Sequence, residues 1–410
     1  MRSLSAPQAA DILGVSISTL YAYVSRGLLR SLPDGASKRR RYDADEVRLL
    51  ARRRADAKRA GGVAERSLDW GVPVLESRIT QIADGRLYYR GIDALTLAHD
   101  ATLEETAARL WDCAPARLAA ASLASTGFDA AQWSDWARRW AHLAPLERTL
   151  VLLPAAAASL PGRWAPGCDA QLDTAALLLR VTAAALAGVA PRDAPVHRQL
   201  AAAWGIRRRA DADLLRRALV LCADHELNPS TFAVRCIAST GTHLFGAIAG
   251  GLAALSGRRH GGETLRAGAL LDEAAHAADL DRYLAQRLAR DERSEGARTA
   301  LAGFAHPLYP DGDPRARALL DALCTTQPER QPLRAAGALA ARVEAATGLR
   351  PTIDFALAVL ERTLALPAGA GFTLFAAGRT AGWIAHAIEQ YADGKLIRPR
   401  ARYVGSDAPG

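Results

Sequence analysis

Residues 236–257 read CIASTGTHLFGAIAGGLAALSG, 22 residues without a single charge. A run of that length is long enough to cross a bilayer as one helix. It is broken, though, by Gly241, Gly246, Gly250 and Gly251, by His243 and by several Ser and Thr. Glycine weakens a helix interior, and hydroxyl side chains favour helix ends. The stretch therefore reads as two buried helices separated near Gly241, and no membrane span is expected. Two helices that are apolar on every side need a large helical body around them.

The flanking sequence supplies one. The 410 residues are 50% hydrophobic, 23% charged and only 6% aromatic, with alanine abundant throughout. Such a composition favours closely packed helices over sheets. Helical periodicity is expected over 102–111, 115–122, 128–140, 146–158, 170–189, 194–203, 209–223, 230–239, 243–255, 262–274, 314–323, 334–346, 352–364 and 371–391. One exception stands out: residues 77–83 and 86–90 alternate on either side of Asp84-Gly85, which predicts a small β-hairpin. The fold class expected is all-α with that one hairpin.

Charge is unevenly placed. Residues 1–60 hold 13 Lys+Arg against 6 Asp+Glu, a net +7, while the whole chain is +9. A helix is expected over 7–13, a turn at Gly14-Val15-Ser16, and a second helix from Ser16 or Ser18 to about Val24. A basic wing, Lys38-Arg39-Arg40-Arg41-Tyr42, then leads to a third helix from Asp43 or Asp45 to about Lys58. This layout resembles the winged helix-turn-helix of MerR-like and excisionase-like proteins. The resemblance implies that Ser18, Thr19 and Tyr21 face the DNA major groove and that Arg39, Arg40 and Arg41 lie near phosphate. A solvated basic appendage is the competing reading of the same charge run. Ala60-Gly61-Gly62 reads as a linker.

Cys113, Cys168, Cys222, Cys236 and Cys324 are odd in number and widely spaced, with no CxxC pair. That pattern speaks against a disulfide framework or a structural zinc site. With no apolar signal core near Met1, it leads us to expect a cytoplasmic protein and no metal.

Chemistry is concentrated in three turns: Asp224-His225-Glu226-Leu227-Asn228-Pro229, Gly257-Arg258-Arg259-His260-Gly261-Gly262, and Gly303-Phe304-Ala305-His306-Pro307. Each histidine taken alone reads as an ordinary satisfied polar residue rather than a catalyst. Asp354, after Pro351-Thr352-Ile353, reads locally as a helix N-cap or as a carboxylate base in a dry pocket.

Together these turns form an ordered set. It runs from Tyr89-Arg90-Gly91-Ile92 through the His225 and His260 turns to Gly303-Phe304-Ala305-His306. It continues with Asp313-Pro314-Arg315, Ile353-Asp354-Phe355, Gly378-Arg379-Thr380-Ala381-Gly382-Trp383-Ile384-Ala385-His386 and Arg398-Pro399-Arg400. The set resembles the citrate synthase family over roughly residues 68–405. The resemblance implies a two-domain helical fold. Residues 1–60 form the helix-turn-helix, 63–261 and 366–410 a large domain, and 262–365 a small domain.

It further implies condensation of acetyl-CoA with oxaloacetate, giving citrate and CoA. Asp354 is the base, and His260 donates to the enol oxygen. His306 donates to the ketone oxygen of oxaloacetate, while Arg315, Arg379 and Arg398 hold its carboxylates and His225 hydrogen-bonds the ligand. Arg398 acts across a homodimer interface. Acyl-CoA enters as a substrate, and no metal or bound cofactor is implied.

Two departures stand against the family pattern: Ala305 where members usually have Gly, and no basic residue directly after His306. They leave open a methylcitrate synthase using propionyl-CoA. The N-terminal module leaves open a metabolite-sensing transcriptional regulator.

Overall fold

The computed structural model describes residues 3–13, 31–34, 37–44 and scattered positions up to Val47. It then describes residues 75–160, 168–257, 260–291, 301–400 and 405. The chain divides into two compact units, Met1–Glu76 and Ser77–Gly410.

In the first unit a short strand β1 (Ser3–Ser5) leads directly into α1 (Ala6–Leu13). Ser5 starts that helix as a capping residue, its backbone N–H donating to Gln8 Oε1 at 3.0 Å. The wing is present as β2 (Ser31–Asp34) and β3 (Ser37–Asp43), antiparallel with Leu32 opposite Arg41. β1 pairs on the other edge of β3, Leu4 opposite Tyr42. This third strand is absent from the sequence reading, because three residues are too few to show alternation. Ala9, Ala10, Leu13, Leu20, Leu29, Tyr42 and Val47 close a small core. Arg40 is exposed on β3. The side chain of Arg39, the residues Ser18, Thr19 and Tyr21, and most of the second and third expected helices lie outside the described residues.

The second unit opens on the expected hairpin, β4 (Thr80–Ala83) and β5 (Arg86–Tyr89). Asp84 and Gly85 have φ of 51° and 69°, the left-handed pair that an Asp-Gly turn supplies. A two-residue β6 (Ile92–Asp93) extends it to three strands, which corrects the single hairpin. Tyr89 Oη donates into the carbonyls of Val220 and Asp224 at 3.1 and 3.2 Å, locking the sheet to the helical body.

The helices follow in order. α2 (Ala94–Asp100), α3 (Leu103–Leu110), α4 (Pro115–Ala120), α5 (Ala130–Arg139), α6 (Pro145–Ser159), α7 (Cys168–Ala187), α8 (Val196–Ala203) and α9 (Arg209–Leu221) come first. Then come α10 (Pro229–Ala238), α11 (Leu244–Leu255), α12 (Glu263–Ala275), α13 (Leu280–Asp291), α14 (Pro314–Thr326), α15 (Gln331–Thr347), α16 (Ile353–Thr363) and α17 (Ala370–Asp393). The sequence reading lacks α2 and α13. α2 has only two turns, begun by Asp93 accepting from the Leu95 N–H.

α10 and α11 are the two halves of the uncharged stretch. Gly241, at φ 81°, turns the chain between them, and His243 caps α11 through the Gly246 N–H. A Cβ at Gly250 would lie 2.0 Å from Ile237 Cδ1, and one at Gly251 would lie 2.8 Å from Val234 Cγ2. The glycines thus let α11 press against α10. Among the described residues, no helix is long and apolar enough to cross a membrane.

Buried arginines serve helix ends. Arg148 donates to the last carbonyls of α7, Ala185 and Leu186, at 2.8 and 2.7 Å. Arg216 does the same after α2, at His99 and Ala101. These carbonyls have no partner within their own helix. α17 runs through the middle of the unit, and 19 of its 24 residues are buried, which is why its one guanidinium, Arg379, commands notice.

Candidate active site

Each candidate residue sits where a helix begins or where a loop is pinned to one. His225 follows α9 in the turn before Asn228, which caps α10 by accepting the Thr231 N–H at 3.1 Å. His260 lies between α11 and α12, next to Gly261, where a Cβ would fall 1.9 Å from the Leu255 carbonyl oxygen. His306 sits on a loop fastened to the residues just before α16. The Ala305 N–H donates to the Arg350 carbonyl at 3.0 Å, and the Thr352 N–H to the Gly303 carbonyl at 2.8 Å. Arg315 is in the first turn of α14, Asp354 in the first turn of α16, and Arg379 in the middle of α17.

Their electrostatics show that they share one place. The charge of Arg379 acts on His225, His260 and Arg315, and the charge of Arg315 acts on His225, Tyr309 and Asp354. The rings of His225 and His306 are 5.0 Å apart, edge to face. Tyr309 closes this cluster. Its hydroxyl is 3.0 Å from His225 Nε2, its ring is 5.0 Å from that of His306, and the Arg315 guanidinium lies 5.4 Å over it. Burial pushes the Tyr309 phenol up to about 12, so it stays neutral.

Burial, with the charges of Arg315, His306 and Arg379, holds His225 well below the ordinary histidine range. Burial and Arg379 bring His260 down to about 4. Both imidazoles are therefore neutral near pH 7. His306 Nδ1 accepts the Leu308 N–H at 3.2 Å, which leaves Nε2 as the nitrogen of that ring able to donate. His260 Nε2 is 2.8 Å from Ser230 Oγ, which receives the Trp383 Nε1–H at 3.2 Å and lies 2.7 Å from Asn228 Oδ1.

The two buried guanidiniums differ in their partners. Arg315 is paired with Asp313 through both Nε, at 2.9 Å, and Nη2, at 2.8 Å. Arg379 donates Nε to the Cys222 carbonyl at 2.9 Å and lies over the Phe375 ring. Its charge is answered by Asp224, whose carboxyl also faces His386 at 3.4 Å.

Asp354 does not cap its helix. Thr352 holds the N-cap position, and Asp354 instead accepts the Thr264 hydroxyl at 2.5 Å. Burial raises its pKa to about 6, with Thr264 lowering and Glu263 raising it. The residues Asp224-His225-Glu226 do not converge on one point. Asp224 faces His386, His225 faces Tyr309, and Glu226 accepts the Ile82 N–H at 3.1 Å.

The structure thus brings His225, His260, His306, Arg315, Arg379 and Asp354 together. Arg398 is exposed beyond α17, and among the described residues no hydrogen bond or ion pair joins it to the cluster. Thr264, Ser230 and Tyr309 belong to the site without having been singled out from the sequence.

The family model "Citrate synthase, C-terminal domain" matches residues 67–400. The chain belongs to the citrate synthase family. A second model, "MerR family regulatory protein", matches residues 8–42. Over 199 residues the chain is 35% identical to citrate/2-methylcitrate synthase of Bacillus subtilis, covering 48% of this chain and 52% of that one. It is 36% identical to citrate synthase of Haloferax volcanii, covering 47% and 50%. The chain thus spans about half the length of the curated relatives it matches.

Solved structures match more widely. Citrate synthase of Thermotoga maritima has a TM-score of 0.68 at 28% identity, covering 83% of this chain and 96% of that one. The Thermoplasma acidophilum citrate synthase, solved as a ternary complex with carboxymethyl coenzyme A and oxaloacetate, has a TM-score of 0.69 at 25% identity. It covers 84% of this chain and 97% of that one.

Both departures from the family pattern have a structural counterpart. Ala305 adopts φ 64°, a left-handed conformation that suits glycine. The apolar run after His306 is what carries Tyr309 into the cluster.

Proposed function

We propose that the protein condenses acetyl-CoA with oxaloacetate and releases citrate and CoA. One observation carries the reading: a carboxyl raised to about 6 at the start of α16, in a cluster with three histidines and two buried guanidiniums. The methyl group of a thioester is a weak acid, so it needs a base stronger than an ordinary aspartate. Asp354 takes that proton.

His260 donates to the oxygen that becomes the enol. Donation requires the Nδ1–H tautomer, in which Ser230 turns its hydrogen onto His260 Nε2 rather than onto Asn228. His306 donates its Nε2–H to the ketone oxygen as the new carbon–carbon bond forms. Water then hydrolyses the thioester and frees CoA as a thiol.

Oxaloacetate brings two carboxylates to His225, Arg315 and Arg379. Asp313 and Asp224 already balance those guanidiniums, so the site offers donors but little spare positive charge. Arg398 of the partner subunit would supply it in a homodimer. We place the cleft between a large domain, 63–261 with 366–410, and a small domain, 262–365, whose closure shields the intermediate from water.

The test is oxaloacetate-dependent thiol release with acetyl-CoA and propionyl-CoA in parallel. Release with acetyl-CoA supports this reading, and preference for propionyl-CoA makes the protein a methylcitrate synthase. Release with neither removes the enzymatic proposal.

A regulatory reading rests on the MerR match at residues 8–42 and on the arginines of β3. In it the first unit binds DNA and the second senses a metabolite. It expects duplex retention that weakens steeply with salt and is lost on removal of residues 1–60. Activity in the thiol assay and retention on DNA are compatible.

A further inference from the structure

We propose that Thr264 is a positioning residue for Asp354 and that the first turn of α12, through Glu263 and Thr264, holds the base and the His306 loop in one frame. The inference rests on the reading of Asp354 as the base.

Three observations carry it. Thr264 is buried and donates Oγ1–H to Asp354 Oδ1, leaving the other carboxyl oxygen for the substrate proton. Its rotamer is set from the opposite side. A Cβ at Gly371, in the first turn of α17, would lie 3.1 Å from Thr264 Cγ2, so the missing side chain there makes room for the methyl group. With the methyl group placed against Gly371, the hydroxyl is directed to Asp354. Third, the neighbouring Glu263 accepts the Gly303 N–H at 2.8 Å, three residues before His306. Gly303 has φ 84°, and a Cβ there would lie 2.9 Å from Ala267 and 3.0 Å from Phe355, so the loop is pressed between α12 and α16.

A hydroxyl suits the task. It orients the carboxylate without adding a positive charge, and it can still donate to Asp354 once that group has taken a proton. A guanidinium in its place would depress the basicity the reaction needs.

Thr264→Val tests this, because it keeps the methyl group facing Gly371 and removes only the donor. Loss of one hydrogen bond to a charged group is expected to lower kcat for thiol release about tenfold or more. KM for oxaloacetate should change less than about twofold, since Thr264 is not among its ligands. The acid limb of kcat/KM should move to higher pH, while Glu263, Asp313 and Arg315, the charges acting on the carboxyl, stay in place. Thr264→Ser should recover most of kcat. Thr264→Ala, which cannot clash, should lose as much as the valine variant.

If the valine and alanine variants both keep wild-type kcat and an unmoved limb while Asp354→Asn is inactive, the inference falls and the base reading stands. If Asp354→Asn itself turns over normally, the base reading falls and takes the inference with it.

Discussion

The starts of α14 and α16 each carry a carboxyl shielded from water, Asp313 fully and Asp354 in part, and the two behave in opposite ways. Asp313 caps α14 and receives four hydrogen bonds: the Arg315 N–H at 3.0 Å, Arg315 Nε and Nη2 at 2.9 and 2.8 Å, and the Ile353 N–H at 3.0 Å. Burial works to raise its pKa, but Arg315 and the Ile353 N–H outweigh it, and the carboxyl lies below the ordinary range. Asp354 sits one residue beyond Ile353 and is half-buried, and it receives one neutral hydroxyl and is raised to about 6. Desolvation that outweighs one hydroxyl raises a carboxyl, and a paired guanidinium that outweighs desolvation lowers one. The same fold provides both within two adjacent helix starts.

Asp354→Asn should break the contrast most strongly. It removes the proton acceptor, so kcat for thiol release should fall at least about 10²-fold. The same variant should be more stable than the wild type at neutral pH. A carboxyl whose folded pKa lies above its unfolded value gives stability below about pH 4 that is lost as pH rises through about 6. Asparagine avoids that loss, for a gain of ~1–3 kcal/mol above pH 7 and none below pH 4. Thermal melts at the two pH values read the difference.

Asp313→Asn should act in the other direction. It leaves Arg315 buried without its counter-charge, and removing one partner of a buried pair costs ~3–5 kcal/mol. Denaturant unfolding measures this directly, and a loss below ~1 kcal/mol would show that Arg315 finds another partner.

The smallest effect concerns the His306 loop, which leads into α14 and is fastened to the residues just before α16. Ala305→Gly relieves a left-handed alanine at φ 64°, and about 1 kcal/mol of added stability is expected. An unchanged midpoint would mean that the extra freedom of glycine in the unfolded chain offsets the relief.

The sequence shows this fold well where periodicity and punctuation agree. Asp84-Gly85 marks the hairpin turn, and Gly241 with His243 separates α10 from α11. It fails where an element is too short to have a period, as in β1, β6 and α2. α13 is a different case. Asp279 accepts the Arg282 N–H at 3.0 Å ahead of Leu280, Tyr283, Leu284, Arg287 and Leu288, a start signal and an amphipathic spacing that were both legible.

The site divides in the same manner. His225, His260 and His306 stand out because each lies in a turn rich in Gly, Pro or charge. Thr264 does not stand out, because its partner is 90 residues away and nothing near Thr264 hints at it. Tyr309 is hidden for the same reason, with His225 84 residues distant. A residue whose role is to hold another one gains meaning only from the fold that brings them together.

The acid limb of kcat/KM for thiol release tests the central claim most directly, because it reports the ionisation of the base in the free enzyme. With Asp354 shielded from water and held by a single hydroxyl, activity should fall tenfold per pH unit below about 6. Activity that persists undiminished to pH 4.5 would mean that the base titrates as an ordinary aspartate, and would contradict the account of the two carboxyls.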